Sequence, residues 1–419
     1  MWFKKKRLYF DTAATTPLGG RVLATMKPIM AGVFGNPSSI HFEGQKAREV
    51  LEISRRKISG ILGCLPEEVH FTSGGTESDN LALRGLARGL IVDGFLSKPG
   101  HIITTAIEHK AVLEPIRELE RDGWRVTRLP VDENGLIRSV DFQKALTPDT
   151  AIISIMFANN EIGTLQPLRE VRKILEDYKR VGGKKFPYLH IDACQAGRFF
   201  ALRPERLGAD LLTFSGSKIY GPKGVGILFC KRGTPCRPEI TGGGQEGGLR
   251  AGTENVALGA GLARALEICE VEREKESHHL GKMRDLFIEK TLAEIPGTRL
   301  NGSAKERLPN NVNISFIDLS AEFLVVELDR LGLAASAGSA CSAPGGDASY
   351  VIMALDTDQD RAMGAVRFSL PRGCTESDIE RAVKLLKSAV DKVRKIDINN
   401  NKNTPVKYGA CAPQKSKDF

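Results

Sequence analysis

Lys218 sits in the segment Phe214–Gly224, directly behind an apolar strand pattern, between the hydroxyls of Ser215 and Ser217 and a run containing Gly221, Pro222 and Gly224. An amine held where it is desolvated, beside hydroxyls that bind phosphate, is what a Schiff base with an aldehyde cofactor requires. Taken alone, the same segment also fits a polar turn with an incidental lysine. Asp192 shifts that balance. It ends the strand pattern Tyr188–Ile191 and lies 26 positions before Lys218 (218 − 192). A carboxylate at a strand end pairs with a pyridinium nitrogen and keeps the ring an electron sink, whereas a buried Asp without such a partner is destabilising. Gln195, three residues on, is placed to reach a ring hydroxyl. The turn Thr72–Asn80 follows another strand pattern and opens a helix, so the backbone N–H groups of Gly75 and Thr76 face an anion at the positive helix end. No lysine follows its glycines and it holds no G-x-G-x-x-G, so it is neither a Walker A loop nor a dinucleotide fingerprint. Cys341 lies in Ala335–Gly346, a run of small residues that cannot pack a core. It reads either as a buried thiol in a linker or as a mobile nucleophile.

These groups need a frame. Apolar strand patterns at 69–72, 101–104, 125–129, 151–156, 188–192, 211–214 and 225–229 alternate with helical patterns such as 43–62 and 77–90. Alternation of this kind predicts an α/β fold with a mostly parallel sheet flanked by helices, whose strand C-termini meet the ligand. After Ala257 the pattern changes: a long helical run to about Glu294, strand patterns at 312–316 and 365–369, and a helix over about 376–395 predict a smaller α+β domain. The expected division is a large cofactor domain over 15–262 and a small domain built from 1–14 and 263–396. That small domain carries the cysteine loop at about 334–348, and 397–419 is expected as a disordered tail.

The 419 residues, 41% of them hydrophobic and 26% charged, are those of a globular chain and exclude a fibre or a disordered protein. No run reaches the roughly 18 apolar residues of a membrane span. The basic cluster Lys4–Arg7 leads only to Leu8-Tyr9-Phe10 before Asp11, which is no signal-peptide core, so a cytoplasmic location is expected. The formal charge of +9 is scattered, and direct nucleic-acid binding is not expected. None of the eight cysteines (64, 194, 230, 236, 269, 341, 374, 411) forms a C-x-x-C pair, so no intrinsic metal site is expected. Cys194, beside Asp192, reads as a packing residue.

Several longer motifs carry a resemblance. Asp11–Pro17, Gly35–Ser39, Thr72–Asn80, Glu108–Leu113, Asn159–Gly163, Arg250–Thr253 and Gly338–Cys341 occur in the order found in the cysteine desulfurases, class-V aminotransferase relatives of fold type I, from about Leu8 to Lys395. The resemblance implies pyridoxal 5′-phosphate as an aldimine on Lys218, with L-cysteine as substrate and alanine as product. His109 would stack on the ring and shuttle protons, Asn160 would meet the ring hydroxyl and the substrate, and Asp192 the ring nitrogen. Thr76, Ser215, Ser217 and a Thr253 from a second subunit would take the phosphate, with Gly75 and Gly216 in the same cradle and Gln195 at the ring. Arg367, assisted by Asn36, would clamp the substrate carboxylate. Cys341 would carry the persulfide and transiently ligate a nascent iron–sulfur cluster. The implied partners are a second copy of the chain and a sulfur acceptor of iron–sulfur cluster assembly or tRNA thiolation. Selenocysteine lyase or aminotransferase chemistry on the same cofactor are the alternatives. Ser217 stands where the family usually has histidine, which predicts weaker cofactor retention, and Gly247 stands where relatives often have arginine.

Overall fold

The computed structural model describes residues 7–182, 186–338 and 348–403. Among them, thirteen strands run in chain order. The first eight are β1 Leu8–Tyr9, β2 Val69–Thr72, β3 His101–Thr105, β4 Arg125–Leu129, β5 Thr150–Ser154, β6 Tyr188–Asp192, β7 Leu211–Ser215 and β8 Gly226–Cys230. There follow β9 Thr298–Leu300, β10 Asn311–Phe316, β11 Leu333–Ala334, β12 Ser336–Ala337 and β13 Ala365–Ser369.

A seven-stranded sheet has the order β2-β8-β7-β6-β5-β3-β4. Its pairs are parallel except those of β8, which runs against both β7 and β2. Every residue of β3, β5, β6, β7 and β8 is buried, as expected of strands covered on both faces by helices. The C-termini of β2, β3, β5, β6 and β7 therefore open on one edge of the sheet, the place where open α/β sheets bind ligands. A second, four-stranded antiparallel sheet has the order β12-β13-β10-β9, and β1 pairs in parallel with β11.

One helix joins the two cores. Val256–Glu294 spans 39 residues, about 58 Å at the usual rise. Leu262, Leu266 and Cys269 on its first half pack into the core under the large sheet, while Leu280, Met283 and Phe287 on its second half pack against β10 and β13. Midway, Glu276 draws the structure together. Its Oε1 accepts from Arg198 Nε at 2.6 Å, in the turns after β6, and its Oε2 from Arg372 Nε at 3.0 Å, just past β13. Both guanidinium groups lie over the Tyr220 ring, at 5.0 and 4.8 Å.

Two differences from the sequence reading have plain causes. The helix expected over 77–90 is Gly75–Asn80 and Leu86–Val92 separated by a π-turn at Leu81–Gly85. Gly85 and Gly89 press there against the backbone of Arg237 and Pro235, an approach that any Cβ would block. The last helix runs from Glu376 to Asn403, past residue 397, where a tail was expected to begin.

Removing Glu276 leaves Arg198 buried without its counter-ion. The Glu276→Ala variant is therefore expected to lose about 3–5 kcal/mol of stability, read as a lower midpoint in denaturant unfolding. A midpoint within error of the parent would mean that the ion pairs do not bind the two cores together.

Candidate active site

A cavity of about 470 Å³ opens at the C-terminal edge of the large sheet. Gly75, Thr76, His109, Asn160, Asp192, Gln195, Ser215, Ser217, Lys218 and Arg367, all expected at the site, line it together. Each stands at or within a few residues after the end of β2, β3, β5, β6 or β7, or on β13 itself.

The Lys218 amine donates to the carbonyls of Ala13 and Ala14 at 2.9 and 2.5 Å. This gives the Asp11–Pro17 motif a physical task. Thr16 accepts from Tyr220 N through Oγ1 at 2.8 Å, and its own N–H donates to Ser217 O at 2.8 Å. Those bonds clamp the lysine turn, in which Tyr220 takes φ 62°, a left-handed conformation costly for a non-glycine residue. The Ser215 and Ser217 hydroxyls lie 3.0 Å apart on the cavity wall.

Asp192 is buried, and its Oδ1 accepts from Cys194 N at 2.9 Å. Gly75 begins its helix so close to this turn that a Cβ would come within 2.6 Å of Cys194 Sγ, and a larger residue there would have to displace that thiol. His109 caps the helix Lys110–Arg121, its Nδ1 accepting from Ala111 N at 3.1 Å. With Nδ1 used as acceptor, the proton of the neutral ring sits on Nε2. Asn159 holds the next turn through Oδ1, which accepts from the N–H groups of Glu161 and Ile162, and so presents Asn160 to the cavity.

Arg367 is buried, its Nη1 donating to Asn160 O at 3.0 Å and its Nη2 to Asp11 Oδ1 at 2.8 Å, while Nε has no partner among the described residues. Asp11 thus orients the guanidinium from 356 residues away. The reading of the sequence placed Asp11 in a motif without seeing this contact, since no local pattern announces it.

Other expected residues stand elsewhere. Gly216 lies under the lysine turn, its N–H bonded to Val225 O, and does not line the cavity. Asn36 and Thr253 are exposed, and Asn36 Oδ1 accepts from Ser38 N at 2.9 Å. Cys341 and residues 339–347 of the loop expected at about 334–348 fall outside the described residues, as does Cys411. Met156, Asp79, Cys194 and Lys223 line the cavity without having been singled out as ligands.

The chain matches the aminotransferase class-V family model over residues 8–382. It is 43% identical to the cysteine desulfurase IscS of Dictyoglomus turgidum over 392 residues, covering 94% of this chain and 96% of that one. The chain belongs to the cysteine desulfurase group of the class-V aminotransferases. Human cysteine desulfurase is 38% identical over 392 residues, 93% of this chain and 83% of the human one. Among solved structures, a NifS-like protein superposes with a TM-score of 0.84 at 35% identity, covering 92% of this chain and all of that one. A structure described as SspA in complex with cysteine gives 0.74 at 33%, with 87% and 99% covered.

The family's cofactor is pyridoxal 5′-phosphate, and the cavity fits it. An amine for an aldehyde, a carboxylate for a pyridinium nitrogen, and paired hydroxyls beside a glycine-led helix for a phosphate line one space. Asn160 offers a buried Oδ1 that no other described residue uses, as a ring substituent needs. Lys218, Asp192, Gln195, His109, Ser215, Ser217 and Thr76 are the residues that would hold it.

Behind His109, Glu108 is fully buried; its Oε1 accepts from Met156 N at 2.9 Å and Thr105 Oγ1 at 2.8 Å, and its Oε2 has no partner among the described residues. Burial pushes its carboxyl up to about 8 from an ordinary 4.5. The folded state therefore holds a proton that the unfolded chain releases, and the stability this contributes is present below about 4.5 and lost as pH rises through about 8. In Glu108→Gln that loss disappears. Unfolding free energies measured across this window should fall more steeply in the parent than in the variant; parallel curves would contradict a protonated Glu108.

Proposed function

We propose that this protein is a pyridoxal-phosphate-dependent cysteine desulfurase that moves sulfur from L-cysteine to Cys341 and leaves alanine. The observation that carries the reading is the meeting of Lys218, Asp192, His109 and Arg367 in one cavity, with the described residues at either end of the cysteine loop anchored beside it. On one side of that loop Gly338 N donates to Ala365 O at 3.4 Å, two residues from Arg367. On the other, Ser349 Oγ donates to Glu161 Oε2 at 2.6 Å, next to Asn160. Cys341 is three residues from Gly338, a reach of up to about 10 Å.

Bound pyridoxal phosphate supplies the electron sink that acidifies the substrate α-carbon. Arg367, its plane set by Asp11 and Asn160, receives the cysteine carboxylate. Lys218 would hold the cofactor, and its amine, once free, would take the substrate α-proton. Asp192 would hold the ring nitrogen in its protonated form. His109 donates or accepts a proton at Nε2, because Nδ1 is committed to the helix cap. The Cys341 thiolate attacks the substrate sulfur: a Cys341 S–S bond forms, the substrate Cβ–S bond breaks, and its electron pair returns to carbon, which is protonated to alanine. The net change is cysteine plus a thiol to alanine plus a persulfide.

The active unit is a homodimer. Phe34, Ile40 and Phe42 are 82%, 87% and 73% exposed around Asn36, an apolar surface that a second copy would cover, and Thr253 would reach the partner's phosphate site. The large domain at 15–262 holds the cofactor, and the small domain of 1–14 and 263–396 carries the loop. Delivery in the cytoplasm to an acceptor for iron–sulfur clusters or tRNA thiolation completes the reading.

Incubation with L-cysteine should yield alanine in step with a persulfide mapped to Cys341. Cys341→Ala should keep the cofactor colour and lose at least about 100-fold of the sulfur release. Persulfide formation at the parent rate in that variant would overturn the nucleophile assignment, and an oxo-acid product instead of alanine would make the protein an aminotransferase.

A further inference from the structure

The cavity has a second carboxyl that the mechanism above leaves idle. Asp79 sits in the helix Gly75–Asn80 that begins at the phosphate loop, is 1% exposed, and lines the cavity together with Asp192. Its Oδ1 makes no hydrogen bond among the described residues. The basic group beside it is His190, two residues before Asp192 on β6, whose Nε2 lies 3.5 Å from that oxygen. His190 is itself fully buried, and its two ring nitrogens meet hydroxyls: Nδ1 with Ser154 Oγ at 2.9 Å and Nε2 with Thr213 Oγ1 at 3.0 Å. A ring so placed can satisfy both hydroxyls while neutral, and burial pushes it down to about 4.

The groups around Asp79 are therefore Asp192 and His190 from β6, Thr213 from β7, Glu108 ahead of the helix Lys110–Arg121, and Cys194, with Lys218 across the cavity. Asp79 and Asp192 share this space, and the charge of Glu108 is felt there more weakly. Two neighbouring buried carboxylates do not both ionise without strong compensation, because each charge raises the cost of the other. Asp192 has the backbone N–H of Cys194 on its carboxylate and the ring nitrogen as its prospective partner. Asp79 has Thr213 near it and an Oδ1 without a hydrogen bond among the described residues, His190 Nε2 standing 3.5 Å away. Burial, and then the charge of Asp192, hold the Asp79 carboxyl well above the usual range.

We propose that Asp79 is a positioning residue for Asp192: an acid that keeps its proton on the cavity wall, beside His190, and leaves Asp192 to carry the negative charge that faces the cofactor ring. The inference rests on the reading that Asp192 meets the ring nitrogen of pyridoxal phosphate in this cavity. Its consequence is specific. An uncharged isostere substitutes for Asp79 but not for Asp192.

The test compares Asp79→Asn, Asp79→Ala and Asp192→Asn as full-length apoproteins titrated with pyridoxal phosphate, reading the dissociation constant and the pH midpoint of the cofactor's visible absorbance band. Asp79→Asn should bind within about twofold of the parent with an unmoved midpoint, since it mimics the protonated acid. Asp79→Ala, which leaves a hole in the cavity wall, should bind at least about tenfold more weakly. Asp192→Asn should lose both affinity and band. A midpoint lowered by about one unit in Asp79→Asn would mean that Asp79 carries charge, and parent-like affinity in Asp79→Ala would mean that it positions nothing; either overturns the proposal. Should Asp79→Ala not fold, the Asp79→Asn midpoint still decides. If the parent takes up no pyridoxal phosphate, the cofactor reading fails instead, a separate result.

Discussion

A lysine amine bonded to two backbone carbonyls, in the same cavity as a buried carboxylate, is the constraint on which the rest of this structure depends. Amines and carboxylates leave water only when geometry fixes their partners. The Ala13 and Ala14 carbonyls meet that need for Lys218, and the Thr16 bonds to Ser217 and Tyr220 keep the turn in place. The N-terminal segment is therefore part of the site although it lies 200 residues away in sequence. It serves both ends of the cavity, since Asp11 in the same segment orients Arg367.

The large sheet supplies the remaining geometry. Five strands end on one edge, and at or shortly after their ends stand the loop glycines, His109, Asn160, Asp192 and Lys218. Each of these is fixed by a local device rather than by bulk packing: a helix cap at His109, an Asx-type turn at Asn159, a backbone N–H on Asp192. Rigid strands with short, hydrogen-bonded exits are what catalysis by positioning requires. The long helix Val256–Glu294 and its Glu276 ion pairs then hold the second core, with Arg367 on its β13, against that edge.

Much of this was legible in the sequence, because strand patterns, glycine turns and the lysine segment are local signals. Tyr188–Asp192 and Arg125–Leu129 occur with the expected bounds. What stayed hidden has distant causes. The antiparallel course of β8 depends on which strands it lies between, and its residues look like those of a parallel neighbour. The π-turn at Leu81–Gly85 follows from backbone pressed on by Pro235 and Arg237. Asp11 and Asp79 are single carboxylates whose partners are set by tertiary contact, so nothing in their own stretch marks them. Asn36 and Thr253 were named only through resemblance, and in one chain they face outward.

The most direct test of the central claim is to reconstitute the protein with pyridoxal 5′-phosphate, reduce with borohydride, and map the modified peptide by mass spectrometry. The account predicts a phosphopyridoxyl group on Lys218. Its appearance on Lys223, the other lysine of the cavity, or the absence of any modified lysine, would contradict it.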